Sequence, residues 1–148
     1  MKIYIGADHQ GFGVKADLIA YLEYGGYEVI DEGSKGYNPT DDFPQFAGRV
    51  ANAILASNSP DTRGILICGS GQGMCMAANR FKGIRASLVW DEREARLARN
   101  DDDSNVLCLP ADVIRSDKLR IITSTWLETP FAAAPRFVRR LAELDGLG

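Results

Sequence analysis

Apolar positions fall along the chain in two alternating rhythms. Lys2-Ile3-Tyr4-Ile5-Gly6 is a short β-rich run and Tyr27-Glu28-Val29-Ile30 is another. Gly64-Ile65-Leu66-Ile67-Cys68 is apolar throughout, as expected of the buried centre of a parallel sheet. Between the first two runs, Val14, Leu18, Ile19 and Leu22 recur at helical spacing, and Gly25-Gly26 stops the helix. A loop with Gly36, Pro39 and Asp41-Asp42 precedes a second helical stripe, Phe46, Val50, Ile54 and Leu55. Residues 84–89 and 105–109 read as two more strands around a charged helix over 92–99. Helices over 117–127 and 135–144 close the chain, the last with an apolar stripe of Phe137, Leu141 and Leu144.

Five short strands alternating with helices predict a three-layer α/β/α, Rossmann-like domain with a mainly parallel five-stranded sheet. A chain of 148 residues without a linker or repeat makes one domain, 1–148. Right-handed crossovers carry the strand-to-helix loops to one edge of the sheet, and ligands bind outside the carboxyl ends of the strands. On this reading three segments become candidates: 6–9, 68–73 and 101–104.

Charge narrows the choice of partner. Seventeen Lys and Arg against 20 Asp and Glu give a net charge of −3, with no basic surplus for a nucleic-acid backbone. No apolar run approaches the ~20 residues that cross a bilayer, and the N-terminus lacks the apolar core of a signal peptide, so a cytoplasmic location is expected. Cys68, Cys75 and Cys108 lack paired zinc-ligand spacing and His9 is the only histidine, so neither metal nor cofactor is expected.

Cys68-Gly69-Ser70-Gly71-Gln72-Gly73 leaves a buried strand and enters a helix over 74–79. Three glycines in five residues let main-chain N–H groups turn toward one point at the positive end of that helix. Such a cradle suits a phosphate or an oxyanion formed during a reaction. The bland alternative is a tight turn whose glycines only allow close helix–sheet packing. Neither GxxxxGK[ST] nor GxGxxG is present. Cys68 stands where the strand ends and the cradle begins, a place where helix N-termini favour the thiolate as nucleophile or base. Against this, free cysteine is among the most buried residue types and a lone one is usually packing, the role expected of Cys75 and Cys108. Ser70 adds a hydroxyl able to relay a proton between two substrate oxygens, although Ser is commonplace in turns.

Gly6-Ala7-Asp8-His9, the run from Gly64 to Gly73, Ala77-Ala78-Asn79-Arg80 and Gly83-Ile84-Arg85-Ala86 together resemble one family. It unites ribose-5-phosphate isomerase B with the galactose-6-phosphate isomerase subunits, and the resemblance spans Met1 to about Leu144. It implies metal-free interconversion of an aldose and a ketose phosphate through a cis-enediolate, with ribose 5-phosphate and ribulose 5-phosphate the leading pair. Cys68 would be the base between C2 and C1, and the amides of Gly69, Gly71, Gln72 and Gly73 would hold the enediolate. Met74 stands where one branch of the family carries a glutamate base, which sides this chain with the cysteine branch. Asp8 and His9 match the substrate-binding pair after strand one. Arg136 and Arg140, four residues apart on one helix face, match two arginines that bind the phosphate in a neighbouring subunit's site. The resemblance thus also implies a homodimer or tetramer with shared sites, the last helix reaching a partner.

The chain departs from that pattern at Asp101, Asp102 and Asp112, which replace a histidine, an asparagine and an arginine. A carboxylate ~7 Å from a phosphate would cost about 2 kcal/mol at an effective dielectric of ~20. Three readings stay open: Arg115 or Arg99 restores the charge, the substrate is a different sugar whose hydroxyls the aspartates hold, or 101–103 is a solvated turn outside the site. In an active isomerase Asp101 would act as the base for ring opening, with Asp102 and Asp112 contacting substrate. A non-catalytic sugar-phosphate sensor is the rival from another class.

Overall fold

The computed structural model describes residues 1–148. Five strands, β1 (Lys2–Ala7), β2 (Glu28–Asp31), β3 (Arg63–Cys68), β4 (Ala86–Leu88) and β5 (Val106–Pro110), form one sheet in the order β2-β1-β3-β5-β4. Every pairing is parallel. The helices are α1 (Phe12–Tyr24), α2 (Phe43–Ala56), α3 (Gln72–Ala78), α4 (Glu92–Asn100), α5 (Ser116–Glu128) and α6 (Pro135–Asp145), and a 3-10 turn (His9–Gly11) precedes α1. The predicted α/β/α architecture is therefore the observed one, with the sheet wholly parallel.

Strand alternation sorts the core into two layers. Ile3, Ile5, Ile65, Ile67, Leu107 and Leu109 meet Leu18 and Leu22 of α1, Ala95 of α4 and Trp126 of α5. Leu66, Cys68, Val106 and Cys108 face the other way, onto Phe46, Val50 and Ile54 of α2 and Met74 and Ala78 of α3. Each fully buried Leu or Ile contributes about 1.5–3 kcal/mol, so these two layers hold the sheet edges in place. Gly64 has no side chain because α2 leaves no room: a Cβ there would lie 2.7 Å from Ile54 Cδ1 and 2.8 Å from Val50 Cγ1.

Two expected core positions face solvent instead. Leu55 is 45% exposed, reaching only the turn at Gly83, and Leu144 is 48% exposed, lining an open cavity. Helix α6 buries only Phe137 and Leu141, and is tied down by Arg85 Nη1 to Asp145 Oδ1 at 3.6 Å and by the Ala132 N–H to the Asn100 carbonyl.

The strand order reverses between β1 and β3: β1 connects outward to β2, whereas β3 leads to β4 and β5 on its other side. The crevice at this switch point lies above the carboxyl ends of β1 and β3. One expectation fails here. Residues 101–104 follow α4 and lead into β5, so they lie at the amino-terminal edge of the sheet, not beside Cys68. Cys68 pairs with Pro110, at the far end of β5, and the strand between is about 13 Å long.

The 3-10 turn crosses β3 at Gly11, where a Cβ would come 2.7 Å from both the Ile67 carbonyl oxygen and Ile67 Cγ2. Gly11→Ala must lift the turn, since a main-chain oxygen cannot yield. A destabilisation of about 1–3 kcal/mol is expected, a fall in Tm of roughly 2–10 °C by calorimetry. An unchanged Tm would show that the turn is not packed on β3.

Candidate active site

Main-chain N–H groups in the loop from β3 to α3 are the first feature of the crevice. The N–H groups of Gly69, Ser70, Gly71, Gly73 and Met74 donate to no acceptor in the chain, and that of Gln72 reaches only Ser70 Oγ at 3.4 Å. Gly71 makes this possible. Its φ is +75°, and a Cβ there would strike Leu88 Cδ1 at 2.5 Å and the Leu109 carbonyl carbon at 3.2 Å. The loop is pinned from β5: the Ala111 N–H donates to the Cys68 carbonyl at 2.9 Å and the Asp112 N–H to the Gly69 carbonyl at 3.0 Å. Cys68 keeps 5% of its surface, in the same layer as α3. Ser70 and Gln72 are exposed.

The end of β1 supplies the opposite wall. Asp8 Oδ1 accepts the N–H groups of Gln10 (3.0 Å) and Gly11 (3.3 Å), capping the 3-10 turn. Burial raises the Asp8 carboxyl above its ordinary pKa, against these two hydrogen bonds. His9 Nδ1 lies 2.8 Å from Asp41 Oδ1. That hydrogen bond first, then the charges of Asp8 and Asp112, raise the imidazole above its ordinary value against partial burial. Asp112 sits over the first glycine of the cradle: a Cβ at Gly69 would meet its Oδ2 at 2.6 Å and would collide with Gln10 Oε1. Phe43, at the start of α2, lays its ring on Gly73, 2.8 Å from where a Cβ would be.

A cysteine, a row of free amides and an Asp-His pair thus converge at the switch point of a parallel sheet. The model of the family described as Ribose/Galactose Isomerase matches residues 3–144. The chain belongs to the ribose/galactose isomerase family. Among its relatives, the probable ribose-5-phosphate isomerase B of Mycoplasma pneumoniae is 43% identical over 129 residues, 87% of this chain and 84% of that one. Ribose-5-phosphate isomerase B of Escherichia coli is 41% identical over 126 residues, 85% and 83% of the two chains. A ribose 5-phosphate isomerase from Thermotoga maritima superposes with a TM-score of 0.93 at 39% identity, covering 99% of this chain and 98% of that one. The Mycoplasma genitalium enzyme, with bound ribulose-5-phosphate, gives 0.92 at 36% identity, covering 97% and 93%.

In this family member the remaining predicted residues gather on the other rim. Asp102 lines a cavity of about 620 Å3 with Arg85, Asp145 and Leu144. Burial and its neighbour Asp101 raise the Asp102 carboxyl, opposed by Arg140 and Arg85. Asp101 closes α4, where the Asn100 side-chain amide donates to its Oδ1 at 2.7 Å. Arg136 is exposed and lies over the Phe137 ring, 4.3 Å from its centroid. Within one chain, then, Asp8, His9, Asp112 and the glycine loop come together, while Asp101, Asp102 and Arg140 form a second group.

Arg99 does not restore the missing positive charge. It is 4% exposed, paired with Asp103 Oδ1 at 2.8 Å and stacked on Trp126. Arg115 is spread in solvent beside Asp117. Sequence reasoning missed Gln10, Asp41 and Phe43. The Asp41-Asp42 pair was visible only as a loop signal, and nothing local shows which aspartate turns inward.

Cys75, expected to be simple packing, is half-buried and chemically distinct. As a thiol it donates to the Ala86 carbonyl, and as a thiolate it can accept from Asn79 Nδ2. A hydrogen bond from the Cys108 thiol is the main cause that lowers Cys75 to about 7, while burial pushes Cys108 well above its ordinary value. Thiolate forms as pH rises. Alkylation of Cys75 by iodoacetamide, followed by mass spectrometry of the native protein, should therefore be half-maximal near its value of about 7, with Cys108 unmodified. A Cys75 profile rising only above about pH 8.5 would contradict this assignment.

Proposed function

We propose that the chain interconverts ribose 5-phosphate and ribulose 5-phosphate by moving a proton between C2 and C1 through a cis-enediolate. The observation that carries this reading is the row of partnerless N–H groups beside Cys68, in a chain whose relatives are ribose-5-phosphate isomerases B. Cys68, as thiolate, takes the C2 proton of the open-chain aldose, and the electron pair moves onto the carbonyl oxygen. The amides of Gly69, Ser70, Gly71 and Gly73 donate to the enediolate oxygens as charge develops. Donors already aimed at that charge need no reorganisation, and one such donor is worth roughly 10²–10³ in rate. Ser70 Oγ relays the proton between O1 and O2, and Cys68 returns its proton to C1. Asp8 and His9 hold hydroxyls at the end of β1, and no cofactor takes part.

The phosphate needs cations, and the rim around Cys68 carries few. Asp8, Asp41 and Asp112 surround the single His9. Arg136 and Arg140 stand on α6, and Arg140 lies beside Asp102 at the opposite edge of the sheet. The reading therefore places these arginines, with Asp101 as the ring-opening base and Asp102 as a contact, in the site of a second copy. Two-arginine forks match phosphate geometry. Asp112 beside the cradle accepts from sugar hydroxyls and tells against a phosphate at that end.

Turnover of ribose 5-phosphate in D2O should place deuterium on C1 of the ketose. Cys68→Ala should lower kcat by at least 10²–10⁴ and remove that label. Undiminished exchange in the variant would take Cys68 out of the mechanism.

Sharing of sites is tested by mixing. Cys68→Ala and Arg136→Ala/Arg140→Ala proteins, each inactive, should on refolding together recover about a quarter of parental activity, because in half of the dimers one site of two is intact. No recovery would place all the groups in one chain's site.

A further inference from the structure

We propose that Asp41 is a positioning residue of this site: its Oδ1 accepts both the main-chain N–H and the Nδ1–H of His9, which fixes the ring and leaves Nε2 to donate to a substrate oxygen. The two distances are 3.0 and 2.8 Å, and both hydrogen bonds that the Asp41 carboxylate makes in the chain go to His9. The Asp41 side chain is 7% exposed, so water competes little for this carboxylate.

The loop between β2 and α2 is built to deliver it. Lys15, buried under the loop, donates to the Ser34 carbonyl at 2.8 Å and to Asp31 Oδ1 at 3.0 Å. Tyr37 meets the Phe12 ring edge-on, with centroids 6.0 Å apart. Asn38 Oδ1 then accepts the Thr40 N–H (3.1 Å) and Oγ1–H (2.9 Å), and the Asp41 N–H returns to the Asn38 carbonyl at 3.3 Å. This turn swings Asp41 inward onto a histidine 32 residues away.

The groups facing His9 come from three elements: Asp8 at the end of β1, Asp41 before α2, and Asp112 after β5. All three carboxylates favour imidazolium, and Asp41 contributes most through its hydrogen bond. Imidazolium donates from Nε2, whereas neutral imidazole with its proton on Nδ1 presents Nε2 as an acceptor. Asp41 thus keeps His9 a donor to higher pH than an isolated histidine would manage. A purely structural Asp41 would affect stability and leave the titration of His9 and the substrate KM alone.

One histidine in the chain gives an unambiguous resonance. In the full-length protein, Asp41→Asn should lower the His9 pKa, read as the midpoint of its NMR titration. At about pH 7.5 the KM for ribose 5-phosphate should rise roughly fivefold to tenfold, with kcat within about twofold of the parent. The rise of KM with pH should begin at lower pH in the variant, and the substrate's own phosphate ionisation, common to both proteins, cancels. In the parent at high pH, the 15N shifts of His9 should show the proton on Nδ1, a reading that needs no variant. An Nε2–H tautomer, or a His9 midpoint that does not move in a folded Asp41→Asn protein, would overturn the proposal. The kinetic arm rests on the isomerase reading, but the NMR arms do not, so an inactive parent would fail that reading while the histidine measurements still decide this one.

Discussion

A peptide N–H left without an acceptor is costly, about 1–3 kcal/mol when it is also shut away from water. The loop from β3 to α3 keeps five of them, at Gly69, Ser70, Gly71, Gly73 and Met74. The rest of the architecture supports that arrangement. A left-handed Gly71 pressed against Leu88 and Leu109 sets the turn, Ala111 and Asp112 staple it to β5, and Phe43 covers Gly73. The parallel sheet with its switch point between β1 and β3 then brings Cys68, Asp8 and His9 to the same crevice. Amides held free in this way make a preorganised place for negative charge.

Charge is distributed unevenly over the two rims of the sheet. Three aspartates crowd His9 at the carboxyl ends of the strands, while Arg85 and Arg140 stand with Asp102 near the amino ends of β4 and β5. A sugar phosphate needs both a proton-transfer centre and cations, and one copy of the chain keeps them about a strand's length apart. The proposed pairing of two copies would join them. Helix α6, held by two buried residues and a few polar ties, is the element best suited to present its arginines outward.

Much of this was legible in the amino-acid sequence because it rests on local rules. The unbroken apolar run 64–68 is buried on both faces, so it reads as a central strand without further information. The glycine loop declares itself by composition, since glycine takes the φ of +75° at position 71 without the strain a side chain would bring. Elements fail to read where tertiary geometry decides. Residues 101–104 seemed to belong with Cys68, although a helix returning between parallel strands must place them at the other edge. Leu144 carries the right helical spacing but lines the open cavity at the other rim, half-exposed. Asp41 and His9 meet across 32 residues, and no spacing rule links them. Cys75 reads as packing because its thiol partner, Cys108, is 33 positions further on, on β5 rather than on α3.

The most direct measurement follows the 1H–15N resonances of the loop while ribose 5-phosphate is added to Cys68→Ala protein. The account predicts saturable shifts at the amides of Gly69, Ser70, Gly71, Gly73 and Met74, larger than those on the outer face of α2. Loop amides that stay still while shifts gather elsewhere would contradict it.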